Sequence, residues 1–163
     1  MRWSLFVVVF GLAACGEPSD KTAALQQVVD SLRKHPGYTP GLGEFMSGIQ
    51  VHHEKLWFAG QAGNWKLAGF EIGEMQEAVE DIRKYCTDRP EVSSLPMLDP
   101  VLDSVSDAIK HGDAVVFKRS FILLTQTCNN CHRATKHEFN VIRMPTTPPF
   151  SNQVFDTAGK ENR

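Results

Sequence analysis

The stretch Trp65-Lys-Leu-Ala-Gly-Phe-Glu-Ile-Gly-Glu-Met-Gln-Glu-Ala-Val-Glu-Asp-Ile-Arg-Lys-Tyr-Cys86 decides the fold class. Its residues Trp65, Ala68, Ile72, Met75, Val79, Ile82 and Cys86 recur in steps of three and four. That spacing places them on one face of an α-helix. Glu71, Glu74, Glu77 and Asp81 fall outside the stripe and read as its solvated face. Asn64, directly after Gly63, is a residue type that caps helix starts.

The same period continues on both sides. Thr39-Pro40 predicts the start of a preceding helix, a cap followed by proline in the first turn. Its inward residues are Leu42, Met46, Ile49, His53, Leu56 and Gly60. A proline-rich connection from Asp88 to Pro96 follows the central stretch. Asp99-Pro100 opens a third helix carrying Leu102, Val105 and Ile109, and Gly112 ends it. Asp113 opens a fourth, with Ala114, Phe117, Phe121, Leu124, Cys128 and Cys131 inward. Strand alternation is nearly absent beyond the first residues. The predicted fold is therefore all-α: an antiparallel four-helix bundle over residues 39–136, in up-down-up-down order. A short amphipathic helix near Lys21–Lys34 (Leu25, Val28, Leu32) precedes it. The segment 137–163 reads as an extended tail, because Pro145, Pro148 and Pro149 oppose a helix. Phe139, Ile142, Phe150 and Phe155 are expected to pack it near the end of the fourth helix.

Chemistry concentrates at Cys128-Asn-Asn-Cys-His132, a C-x-x-C-H run, the attachment signature of c-type haem. Two thiols three positions apart on one helical turn can form thioethers with the two haem vinyl groups, and the adjacent imidazole can reach the iron. Half a zinc site or a thiol–disulfide pair is the plainer reading. A zinc site wants a second ligand pair at finger spacing, and a redox pair usually follows a strand. The expected cofactor is one covalently attached haem c, on Cys128 and Cys131, with His132 as axial iron ligand. In an antiparallel bundle the first turns of the first helix lie beside His132, and Met46 is there. Met46 is the first candidate for the sixth ligand. His53 is the alternative, about 10 Å further along the axis. Each is also readable as a packing residue, Met46 as filler and His53 as a hydrogen-bonded core histidine. Met144 and His137 are outsiders, and His52 lies one residue off the stripe.

Arg2, the apolar run Leu5–Leu12 and Leu12-Ala-Ala-Cys15 form a secretory signal shape. The apolar run is too short to span a bilayer. The segment resembles a bacterial lipoprotein signal, which implies cleavage of residues 1–14 and a lipid on Cys15. Gly16 rather than Asp then implies the outer membrane more than the inner, with the domain facing the periplasm. Residues 15–38 read as anchor, linker and short helix. Removing residues 1–14 leaves about 150 residues, one domain in size. The net charge of −2 is no nucleic-acid signature. Cys86 is left over, as a buried thiol or an intermolecular disulfide.

A C-x-x-C-H on the last helix of a bundle resembles the cytochrome c-prime class of four-helix c-type cytochromes. A methionine early in the first helix resembles the soluble b-type four-helix cytochromes instead. Two blocks, Met46–Glu74 and Cys128–Phe155, are similar to small bacterial haem-binding proteins. The resemblance implies thioethers at Cys128 and Cys131 and iron ligation by His132, and makes a homodimer plausible. The function expected is a monohaem cytochrome carrying single electrons, its redox partner unnamed. The alternative is a haem protein binding nitric oxide or carbon monoxide at an open or displaceable position. No acid–base or nucleophile constellation points to an enzyme; His53 as a distal base is the one candidate for peroxidase-like chemistry. Lys118, Arg119, Arg133, Lys136 and Arg143 form a basic rim for an acidic partner, or simply solubilising charge.

Overall fold

The computed structural model describes residues 20–34 and 37–156, and these are helical with no strand. The expected signal at 1–14, Cys15 and the tail beyond Asp156 lie outside them. The chain divides into two compact units, up to Tyr38 and from Thr39 onward. The first contains helix α1 (Asp20–Lys34), whose Leu25, Val28 and Leu32 are exposed. The second contains α2 (Leu42–Gln61), α3 (Trp65–Tyr85), α4 (Asp99–Lys110) and α5 (Ala114–Ala134). No described helix is long and apolar enough to cross a membrane.

The helix ends follow local chemistry. The Oδ1 of Asn64 accepts from the Leu67 backbone N–H at 3.2 Å and starts α3. Asp113 Oδ1 accepts from the Val115 and Val116 N–H groups at 3.0 and 2.9 Å and starts α5. Gly63, at φ 68°, makes the left-handed turn between α2 and α3 that a side chain would oppose. Thr39 does not cap α2. The helix begins two residues later than Thr39-Pro40 suggests, after Gly41, whose N–H is taken by the Glu44 carboxylate at 2.9 Å. The proline-rich connection is more ordered than a loop: Pro90–Met97 forms a 3-10 helix that buries Leu95. Short i→i+3 turns tolerate the missing donors of Pro90 and Pro96.

In the second unit α2 packs along α3 and α4 along α5, with α3 against α4 and α2 against α5. The shared core contains Leu56, Ala59, Ile72, Met75, Ile82, Val105, Phe117, Phe121 and Leu124. Phe117 and Phe121 are wholly buried, worth about 1.5–3 kcal/mol each in apolar burial. Trp57 lies 5.0 Å from the Phe121 ring and Trp65 lies 5.8 Å from Phe117. Gly60 lets α2 approach this cluster, because a Cβ there would stand 2.1 Å from the Phe117 ring.

Three expectations are corrected. Glu71 is not on a solvated face: it is fully buried between α2 and α3. Its Oε2 lies 2.7 Å from His52 Nδ1, and its Oε1 is ion-paired to Lys55 Nζ at 2.9 Å without hydrogen-bond alignment. Ala114 is exposed, together with Val115 and Val116, because α5 meets the core only from Phe117 onward. The tail packs differently as well: Phe139 and Phe150 are exposed, and Ile142 is half-buried. Phe155 is buried against Phe58 at 5.7 Å, and its carbonyl accepts from Asn64 Nδ2 at 3.1 Å. Phe155 therefore packs at the α2–α3 turn, far from the end of α5, because Phe58 lies three turns along α2 from Met46.

Candidate functional site: the cleft at the end of α5

Cys128, Cys131 and His132 occupy the last turns of α5 and open onto two adjoining cavities of about 340 and 170 Å3. Gly43, Met46, Cys131, His132 and Asn140 line both. Cys128, His53, Ile49 and Leu98 line the smaller; Arg89, Glu91, Leu95 and His137 line the larger. The residues singled out in the sequence, Cys128, Cys131, His132, Met46 and His53, thus meet around one cleft between α2 and α5.

His132 is oriented by the chain that follows it. Lys136 adopts a left-handed φ of 63° and turns the backbone out of α5. The returning strand of chain brings the Asn140 carbonyl to 2.6 Å from His132 Nδ1. A carbonyl only accepts, so Nδ1 carries the proton and Nε2 keeps its lone pair. Asn129 holds this return in place. Its Nδ2 donates to the Ile142 carbonyl at 2.7 Å, and its Oδ1 accepts from the Ile142 N–H at 2.8 Å. A backbone carbonyl on the far nitrogen is the usual way a metal-ligating histidine is aimed.

The two thiols are held protonated. Burial pushes Cys128 up to about 12, with the neighbouring Cys131 adding to the shift, and burial raises Cys131 too. Their position near the carbonyl end of α5 also disfavours thiolate. Reactive redox cysteines sit in the opposite environment. Among the described residues no three His, Cys, Asp or Glu side chains converge as a metal site. A thiol–disulfide role therefore gains nothing from the surroundings of these two thiols. Paired neutral thiols on an apolar cleft, beside an imidazole with a free Nε2, are the donor set that would hold a haem.

Met46 is half-buried on the wall shared by both cavities. His53 is a core residue: its ring lies 4.5 Å from Phe121, and its Nε2 is 2.9 Å from Thr125 Oγ1. The Thr125 hydroxyl donates to the Phe121 carbonyl at 3.1 Å, so it accepts from His53 Nε2–H. The same hydroxyl lies 3.6 Å from Met144 Sδ, which places Met144 in packing beside it. His137 Nδ1 lies 2.7 Å from the Thr135 carbonyl, and its Nε2 lies 3.9 Å from Glu91. His52 is spent on Glu71. Arg133, hydrogen-bonded to Asn130, is exposed, as are Lys118, Arg119, Lys136 and Arg143.

Burial lowers His53 from 6.5 to about 4. The unfolded chain then binds the extra proton first as pH falls, so this group's contribution to stability is complete above about 6.5 and disappears by about 4. Each pH unit inside that window is worth about 1.4 kcal/mol. The expected result is that acidification from pH 7 to 5 costs the native chain about 2 kcal/mol more than a His53→Phe variant, read from urea midpoints at each pH.

Sequence reasoning missed Asn129, Asn140, Arg89 and Glu91. The Asn129 side chain gives no signal without its partner, and Asn140 acts through its backbone. No protein-family model, no curated protein and no solved structure matches this chain.

Proposed function

We propose that α2–α5 form an antiparallel four-helix bundle holding one haem c, and that the protein is a monohaem cytochrome that carries single electrons. Cys128 and Cys131 would form the thioethers and His132 would be the proximal ligand. The observation that carries this reading is the His132 Nδ1–Asn140 carbonyl bond of 2.6 Å, which leaves Nε2 free beside two protonated thiols. The bound haem supplies one-electron redox chemistry, with a potential set by its ligands and surroundings. Met46 would supply the second iron ligand in this reading, because it lines both cavities while His53 is already bonded to Thr125. Methionine ligation raises the potential. The chain would work on the periplasmic side of a bacterial membrane, lipid-anchored at Cys15, with the outer membrane favoured by Gly16.

The second reading, gas binding at a displaceable Met46 position, draws on the smaller cavity lined by Met46, Ile49 and Leu98. One experiment separates the two. The visible spectrum of the haem-loaded soluble domain is recorded oxidised, reduced, and reduced with carbon monoxide. Sharp low-spin bands with the methionine–iron charge-transfer feature, indifferent to carbon monoxide, are expected. A high-spin spectrum that shifts with carbon monoxide overturns electron carriage in favour of gas binding, and the absence of covalent haem overturns both.

A further inference from the structure

We infer that Arg89, braced by Glu91, forms the subsite for a carboxylate of the cofactor, and that this pair tunes its redox potential. The inference rests on the haem reading above. Haem is an amphiphile: an apolar ring with two carboxylates on one edge. In the cleft, arginine and acid side chains are confined to one of the two cavities. The smaller cavity has Ile49, Leu98 and Ile142 in its wall and no lysine or arginine. The larger cavity has one arginine, Arg89, with Glu91 and His137 beside it. Of all the residues lining either cavity, Arg89 is the only lysine or arginine and Glu91 the only acid. Carboxylates desolvated in this cleft without a cation would be costly.

Arg89 is suited to the task. Its Nη2 lies 2.8 Å from Glu91 Oε1 and its Nε lies 3.3 Å from Oε2. The guanidinium has five N–H donors in a fixed fork, so a two-point grip on Glu91 leaves the Nη1 edge for a second carboxylate. The guanidinium is nearly half exposed, so it can turn without breaking a core contact, whereas Glu91 is largely covered. Arg89 holds the Glu91 carboxyl below the usual carboxylate range, so the brace stays charged through the neutral range. Glu91 is a positioning residue here, and Arg89 is the binding residue.

Ferric haem carries one more positive charge than ferrous haem. Removing a nearby cation favours the ferric state and lowers the potential; removing a nearby anion raises it. The test is a spectroscopic redox titration of the full haem-loaded chain and its Arg89→Gln, Arg89→Lys and Glu91→Gln variants. Arg89→Gln is expected to lower the ferrous-to-ferric ratio at a fixed poise by threefold to tenfold, the tenfold limit being 59 mV for one electron. Arg89→Lys keeps the charge and should stay within about twofold, and Glu91→Gln should shift the ratio upward. A merely structural role for the pair would move both neutral variants the same way. Covalent haem with an unshifted Arg89→Gln potential, or with both neutral variants shifted alike, overturns this assignment alone. A wild-type chain without covalent haem overturns the cofactor reading and this assignment with it.

Discussion

Replacing Glu71 by alanine is expected to destabilise the protein by about 3 kcal/mol, the low end of the cost of breaking a buried ion pair from one side. Glu71 is fully buried, and His52 Nδ1 and Lys55 Nζ approach it at 2.7 and 2.9 Å. Alanine leaves a cavity and two donors without their acceptor. The figure stays at the low end because the His52 and Lys55 side chains are 22% and 16% exposed and can turn toward water. Glu71→Met fills the volume but still leaves His52 and Lys55 without their acceptor, so it should recover only the cavity part of the loss. Urea unfolding followed by circular dichroism measures both. An alanine variant as stable as the wild type would mean that the pair contributes nothing net to the α2–α3 contact.

On the proposed haem assignment, replacing Cys131 by serine should cost the protein most of its hold on the cofactor. A serine hydroxyl forms no thioether, so at most one covalent link remains, through Cys128. Cys131 is 7% exposed and lines both cavities, so in that reading it would border the ring. His132 and its Asn140 carbonyl partner are untouched, so in that reading iron ligation would survive while covalent retention falls to the single Cys128 link at most. Haem staining of a denaturing gel reads retention directly, and the alkaline pyridine spectrum counts the thioethers. Two thioethers in the variant would refute the assignment of Cys128 and Cys131.

The helices were legible because several carry local signals at their ends, although the Thr39-Pro40 signal misplaces the start of α2, which is capped by Gly41. Asn64 and Asp113 cap with their side chains, Gly63 and Gly112 take positive φ, and the step of three and four runs between them. Glu71 was misread for a reason within the same logic. It stands three residues after Ala68 and four before Met75, so periodicity places it beside the stripe, and only its charge suggested water. The partners that make its burial tolerable, His52 and Lys55, belong to a different helix, which no single-helix pattern registers. At the candidate site the C-x-x-C-H run is local and legible in five letters. What orients it is not, because Asn129 reaches across thirteen residues to Ile142, and Arg89 and Glu91 enter from the 3-10 connection. The Phe155 contact was misplaced because an extended segment carries no period from which to read its direction.

The support of His132 has a consequence for how substitutions at the two asparagines would be tolerated. Asn140 contributes only a main-chain carbonyl, which every amino acid possesses. Position 140 can therefore drift through many residue types without disturbing the imidazole, provided the backbone keeps its path. Asn129 contributes an amide that donates and accepts at once, and aspartate, serine or leucine cannot do both in that shape. Mutational scanning at these two sites would return opposite profiles, permissive at 140 and narrow at 129, although both serve the same ring.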